Sequence, residues 1–497
     1  MNQQQHQQQC SAQTATNSTC PHLPTHEQIE AFVHTHWEQI VADIAQVVAI
    51  PSIEDPSTAS AQKPFGDPVD QALCCGMEIA TRLGLEAHSC DGYLAFADVP
   101  ASCLRSDAPS KSDKCKHIAT IAHLDVVPAG SGWESNPFVV QRKEGYLVGR
   151  GVLDDKGPAI LTLWAAHFFT QPEFAPFHNL RVLLGGNEET GMADARYYQS
   201  KFSAPDFLFT PDSSWPVVCG EKGSYNALIS FPLQADGRIV LVEAGTVRNA
   251  VAAHATAVVR ATPSELPAAK NISYVPEGNG YVRLFAEGVG GHAAMPEGTK
   301  SALGILTTYL LEHGIYTSAE KRWLEFQQRM HGAWDGSLLG IDATDDIFDP
   351  LTIVSGVMYT RDGKLVQTVD CRYPKSTTPD AICAQLQKVC AQHGLAYEEI
   401  RRGKYLYVNP QSPELQILLD SYAEWAGQHK KPVTLGGGTY AKHFPYAVAF
   451  GPEEGPDPHQ PEWVGAIHGP QEAVLESSLK RALAIYITAL ARLLLDT

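Results

Sequence analysis

The stretch that decides the fold is residues 117–158, HIATIAHLDVVPAGSGWESNPFVVQRKEGYLVGRGVLDDKGP. It opens on an apolar run over residues 118–127, broken only by Thr120, His123 and Asp125. It closes on Gly149-Arg150-Gly151 and the acidic pair Asp154-Asp155, just ahead of Gly157-Pro158. Successive side chains of a strand point to opposite faces, so a strand over 118–127 sets His123 and Asp125 on the same side. Burying two polar groups without partners is costly. The pair therefore predicts a metal site with His123 as a ligand. Pro158 suits the first turn of a following helix, where its missing N–H does no harm.

The same alternation continues downstream. A helix over 158–169 leads to an apolar run over 181–185 that ends in Asn187-Glu188-Glu189. A short helix over 193–199 precedes a strand over 206–210 that ends in Pro211-Asp212. Strands alternating with helices predict an α/β fold, a mostly parallel sheet with helices on both faces. Upstream, Thr25 and Gln28 form a capping box that opens a helix over 26–48, stopped by Pro51. A second helix spans 68–83 and a strand 92–99.

Between 224 and 407 the pattern changes. Alternating strands over 226–232, 282–287 and 367–373 surround two helices, one over 300–313 and one that starts at Thr378-Pro379-Asp380 and ends before Gly394. This predicts an inserted α+β domain. From 408 the α/β character returns, with a helix over 412–428, a Gly-rich turn over 435–440, a strand over 447–450 and a last helix over 472–494. The expected organisation is a disordered Gln-rich tail (1–24), a catalytic domain in two parts (25–223 and 408–497) and the inserted domain (224–407).

Bulk properties narrow the function. The 497 residues carry 37 basic and 55 acidic side chains, a formal net charge of −18, which argues against nucleic-acid or anionic-membrane partners. No apolar run reaches the roughly 18 residues a membrane helix needs. The N-terminus lacks the basic and apolar regions of a secretory signal, and Asn17-Ser18-Thr19 reads as a chance sequon. The 11 cysteines are odd in number and lack CxxC pairs, which predicts reduced thiols in a cytoplasmic protein.

His123, Asp154, Glu188-Glu189 and Asp212 all fall at or just past the ends of consecutive strands, where open α/β sheets bind ligands. Imidazole and carboxylate donors without cysteine suit zinc, with manganese or cobalt as alternatives. Asp125 is placed to accept the other ring N–H of His123. The donors are too many for one catalytic zinc, so two divalent ions sharing a carboxylate and a water are expected. The spare carboxylate of the Glu188-Glu189 pair is then a natural general base for that water.

At this point the blocks HLDVVPAGSGW (123–133), GRGVLDDKGP (149–158), NEETG (187–191) and TPDSSWPVVCGEKG (210–223) resemble the signatures of the co-catalytic zinc peptidases related to aminoacylase and carboxypeptidase G, most of all the PepV-type dipeptidases. GVGGHAAMPEGTKSA (288–302), DCRYP (370–374), GGGTYAK (436–442) and AFGP (449–452) agree, so the resemblance runs over about residues 25–494. It implies that His123 and Asp212 bind one zinc, Glu189 and His468 the other, and that Asp154 bridges them. Glu188 is implied as the general base and Asp125 as the group orienting His123, with a non-proline cis peptide at Asp154-Asp155. The inserted domain is implied as a substrate-binding lid, from which His292 stabilises the oxyanion. Asn249, Arg372 and the backbone of Gly437, Gly438 and Thr439 are implied in substrate binding, Arg372 through a bidentate fork. A dipeptide substrate and a monomer follow.

The chain departs from the family in one block. Around the last ligand the family reads H-x-x-N-E, against His468-Gly469-Pro470-Gln471-Glu472 here, and His443 and His459 are rivals in the same region. Small unblocked dipeptides, including β-Ala-His or Xaa-His types, are the expected substrates. An N-acyl amino-acid deacylase or carboxypeptidase with the same dinuclear chemistry is the neighbouring reading. A peptide-binding protein without catalysis is the remote one.

Overall fold

Thr25 opens the first helix as its sequence suggests. Its hydroxyl accepts the Gln28 N–H at 3.2 Å and its own N–H donates to the Gln28 side chain at 2.8 Å, giving a helix His26–Val48. The computed structural model describes residues 22–101, 115–455 and 457–495. The sequon, nearly all of the expected Gln-rich tail and most of the polar loop over 101–116 fall outside them.

The first sheet has nine strands. Its order is Glu86–Cys90, Leu94–Val99, Asn179–Gly185, His117–His123, Phe207–Thr210, Ala447–Ala449, Val218–Glu221 and Leu406–Tyr407, with Val433–Leu435 also beside Val218–Glu221. The central four, from Asn179–Gly185 to Ala447–Ala449, run parallel. Antiparallel strands extend both flanks. Helix Lys156–Phe168 packs on the parallel strands and against His26–Val48 and the last helix, Glu476–Leu495. Those three helices bury Trp37, Ile40, Ile160, Leu163, Leu483 and Ile487 in one apolar core shared with the sheet.

The second sheet also has nine strands, all paired antiparallel. Of its longest members, Gly223–Pro232 alternates buried and less buried residues as a strand covered on one face must, whereas Lys364–Tyr373 is buried on both faces through its middle. Tyr225, Ala227, Ile229 and Phe231 face a separate core with Leu306, Trp323 and Leu386. The chain enters this sheet at Gly223, leaves it at Gly403, and rejoins the first sheet at Leu406. The protein is thus an α/β fold with an inserted α+β lid.

Three readings of the sequence need correction. The strand expected over 118–127 stops at His123. Leu124 and Val126 are still buried, at 0% and 2% exposure, so the apolar run continues as a packed loop and not as pleated strand. The lid has a third helix, Ser318–Gly332, capped by Thr317 and Glu320. The last helix starts at Glu476, because Ala473–Leu475 pairs with Tyr146–Val148 as a strand.

Candidate metal centre

His123 ends its strand fully buried, and its main chain and ring are held from three sides. Its backbone N–H donates to the Asp155 carboxylate at 3.1 Å. Ring Nδ1 lies 2.9 Å from the main-chain carbonyl of Asp125, with the Asp125 carboxylate at 3.5 Å. A carbonyl oxygen only accepts, so Nδ1 carries a proton, and whenever the ring is neutral it is Nε2 that has a lone pair to offer. Nε2 lies 3.0 Å from Asp154 Oδ1 and 3.9 Å from Asp212 Oδ2.

Asp154 stands between two imidazoles. Its Oδ2 is 2.8 Å from His468 Nε2, which is also 3.1 Å from Glu189 Oε1. The Asp154-Asp155 peptide is cis. Ligand atoms of His123, Glu188 and Asp212 lie within 4.8 Å of one another, as do those of His123, Asp154 and Glu189. Glu188, read from the sequence as a base, therefore also lies within ligand reach of His123 and Asp212. Neither rival histidine joins this group. His443 is pulled down to about 4 by burial and by nearby Arg196, Arg401 and Lys442, and His459 is exposed on a turn capped by Asp457.

The Asp125 carboxylate does more than was read from the sequence. It accepts the backbone N–H of Glu188 at 3.2 Å and of Glu189 at 3.1 Å, so it fixes the acidic pair as well as facing His123. Asp125 lies past the end of the strand, so turn geometry and not pleat alternation brings it there.

The electrostatics is that of a cation site. Burial, and then the field of Asp212 on Glu188, push the Glu188 carboxyl well above the ordinary range. Burial likewise raises Asp212, with Asp154 adding to it. Burial alone would lower His123, but hydrogen bonds with Asp125 and Asp154 hold it well above the usual value. Hydrogen bonds to Asp154 and Glu189 lift His468 to about 10. Four crowded carboxylates with two imidazoles aimed among them fit divalent cations by charge and by donor type.

Several residues that position this group escaped the sequence reading. Glu472 is fully buried and accepts the N–H groups of Gly151, Leu153 and Asp154 at 2.9, 3.1 and 3.3 Å. Its other oxygen meets Arg150 Nη1 at 2.5 Å, also buried. This pair pins the loop that presents Asp154 to the segment that presents His468. In the variant block, the Gln471 side chain accepts the Glu134 N–H at 2.9 Å, so the departure keeps a tether. Arg150→Met would leave Glu472 buried without its cation, and is expected to cost about 3–5 kcal/mol in urea unfolding.

A second buried link ties the Gly-rich loop to the acidic pair. Asp194 accepts the N–H groups of Gly186 and Asn187 at 2.8 and 3.0 Å, just before Glu188, and the Tyr440 hydroxyl donates to the same carboxylate. Tyr440→Phe is expected to lower stability by about 1.5–3 kcal/mol, the range for a hydrogen bond to a charged group, and to lower kcat more than it changes KM.

The lid residues lie outside the donor group, although the field of His468 reaches His292. His292 pairs with Ala250 across a two-stranded ribbon, and the Asn249 carbonyl accepts the Ala293 N–H at 2.9 Å, so Asn249 and His292 are held at the same end of that ribbon. His292 Nδ1 accepts the Ala294 N–H at 3.2 Å, which leaves a neutral ring its proton on Nε2. Burial and the nearby Arg372 keep this ring below its ordinary pKa, and so neutral. Arg372 spends Nε and Nη2 on Asp370, at 2.6 and 3.0 Å, so its end-on Nη1/Nη2 edge remains. Thr439 is only 4% exposed, and its N–H and hydroxyl both go to the buried Glu221. Gly437 offers its carbonyl to Lys442 at 3.1 Å, and Gly438 lies over the same side chain.

Acidic and imidazole donors gathered where parallel strands end, under an inserted lid, define a metallopeptidase. The chain belongs to the peptidase family M20/M25/M40, which residues 119–492 match. It is 30% identical over 483 residues to the beta-Ala-Xaa dipeptidase of Lactobacillus delbrueckii subsp. lactis, covering 92% of this chain and 97% of that one. Human carnosine dipeptidase 1 has the same fold, with a TM-score of 0.56, 14% identity, and 94% and 98% of the two chains covered. So does the aminoacylhistidine dipeptidase of Vibrio alginolyticus, at 0.56, 15%, 92% and 96%. None of the described helices is long and apolar enough to cross a membrane.

Proposed function

We propose that the protein is a metal-dependent dipeptidase that cleaves small dipeptides with a free amino terminus, β-Ala-His or Xaa-His types among them. The observation that carries this reading is Asp154, whose two oxygens meet His123 and His468 separately, at 3.0 and 2.8 Å. In this reading His123 and Asp212 hold one divalent ion, Glu189 and His468 hold a second, and Asp154 serves both. Zinc suits the donor set, with manganese or cobalt as alternatives. Bound there, the ions supply Lewis acidity, lowering the pKa of water and polarising the scissile carbonyl.

The rest falls to the chain. Glu188 takes a proton from the attacking water and hands it to the leaving amine. Asp125 holds the Glu188-Glu189 turn and, through its carbonyl, the tautomer of His123. The lid, residues 224–407, closes on the two-part catalytic domain, 25–223 with 408–497. His292 then donates from Nε2 to the developing oxyanion. Asn249, the end-on edge of Arg372 and the backbone of Gly437 and Gly438 receive the substrate carboxylate end, while Thr439, committed to Glu221, braces that loop from behind. The protein acts as a monomer in the cytoplasm, the second half of this reading supported by the reduced thiols of Cys74, Cys75, Cys90, Cys219, Cys371, Cys383 and Cys390.

The test is a substrate panel on metal-stripped protein with zinc, manganese or cobalt restored in turn. Free dipeptides are expected to turn over at least about tenfold faster than their N-acetyl counterparts, a gap of roughly 1.4 kcal/mol. The reverse order would make the protein an N-acyl amino-acid deacylase or carboxypeptidase. Tight dipeptide binding without release of amino acids would make it a binding protein.

A further inference from the structure

Resting on the dipeptidase reading, we propose that Glu453 binds the free amino group of the substrate and so sets the preference for unblocked dipeptides. Pro452–Glu453 runs parallel to Ser213–Ser214, with Glu453 opposite Ser214. The Trp215 N–H donates to the Glu453 carbonyl at 3.0 Å, which fixes this register. The strand that carries Glu453 therefore runs directly beside the one that begins at Ser213, the residue after Asp212.

Electrostatics agrees with that placement. Burial, then the field of Asp154, raise the Glu453 carboxyl to about 7, while His468 opposes them. Asp212 in turn feels Glu453. Yet, among the described residues, the Glu453 carboxylate makes no contact with either imidazole, whereas Asp154, Glu189 and Asp212 do, so it stands beside the cluster and not in it. This carboxylate has no hydrogen-bond or ion-pair partner among the described residues. Its neighbour Glu454 does, in Arg481.

A half-buried carboxylate without a partner is costly, and a cationic ligand would satisfy it. The cleft also has the polarity of a dipeptide. Glu453 lies on the catalytic side, while Arg372 lies on the lid, near Lys442 and Arg401. A free dipeptide at neutral pH is a zwitterion, so its ammonium meets Glu453 when its carboxylate meets Arg372. An N-acyl substrate would bring a neutral amide to Glu453 and leave the carboxylate unpaired.

The test separates binding from turnover. Metal-loaded E188A protein is titrated by calorimetry with β-alanyl-histidine and with propanoyl-histidine, which differs only in lacking the amine. E188A is expected to bind the amine-bearing ligand about 10- to 100-fold tighter, as for a charge-assisted hydrogen bond. In E188A/E453Q the two ligands are expected to bind alike. Glu453→Asp, which keeps the charge, is expected to retain the preference and so excludes a packing effect. A preference that survives E453Q overturns the assignment. So does loss of bound metal in E453Q, which would make Glu453 a ligand. If wild-type protein leaves the dipeptide uncleaved while the Glu453-dependent preference remains, the dipeptidase reading fails and the amine site stands.

Discussion

Glu188→Ala is expected to lower kcat on a free dipeptide by at least about 10³-fold, in the upper part of the 10²- to 10⁴-fold range for positioned proton transfer. The bound metal per chain should stay unchanged. Each tenfold is about 1.4 kcal/mol of barrier, so the loss amounts to at least about 4 kcal/mol. The two readouts are needed together, because Glu188 lies within ligand reach of His123 and Asp212. A base that only moves protons leaves metal content intact, and KM changes little. A ligand takes an ion with it. If metal analysis of Glu188→Ala shows one ion fewer than wild type, Glu188 is a ligand and the base must be sought elsewhere. Glu188→Gln keeps the shape and removes the basicity, and should fall as far as the alanine variant.

The site was legible where its residues are local, and illegible where they are joined across the chain. His123, Glu188, Glu189 and Asp212 announce themselves because each sits at or just past the end of a strand, which hydrophobic pattern reveals. Asp154 does so because its acidic pair stands just ahead of a helix start. His468 needed the resemblance. What no pattern revealed was the buried pair Arg150 and Glu472, 322 residues apart. The same holds for Asp194 with Tyr440, 246 residues apart. Long-range pairs leave no periodic trace. Arg150 inside Gly149-Arg150-Gly151 and Glu472 closing the His468 block were visible as motif members, but their partnership was not.

The errors in the fold have physical causes too. Leu124 and Val126 are as buried as strand residues, so hydropathy could not show that the strand ends at His123. Helix Ser318–Gly332 carries a complete capping box at Thr317 and Glu320. Its buried face includes the polar Glu320 and Gln327, which blurred the apolar stripe that would have revealed it. Asp125 was placed correctly near His123 for an incomplete reason. Its carboxylate spends itself on two backbone N–H groups of the Glu188-Glu189 turn, a role only the folded chain displays.

Exhaustive chelation is expected to reduce dipeptide hydrolysis to the uncatalysed background, and restored zinc, manganese or cobalt to recover it. Asp154, Glu188, Glu189 and Asp212 crowd around two imidazoles, and no described lysine or arginine pairs with any of these four carboxylates. Cations that bind only the folded chain must stabilise it, by about 2.7 kcal/mol when present at a hundred times their Kd. The melting temperature should therefore rise with added metal, in proportion to the logarithm of its concentration. His468→Ala sharpens the prediction. His468 reaches only Asp154 and Glu189, at 2.8 and 3.1 Å, while His123 faces Asp154 and Asp212. Its loss should weaken one ion and spare the other, so metal analysis should fall from two ions per chain to one. A single ion in wild type, unchanged in His468→Ala, would overturn the dinuclear reading and leave Asp154 serving one site. Activity that survives complete metal removal would overturn metal-dependent hydrolysis altogether.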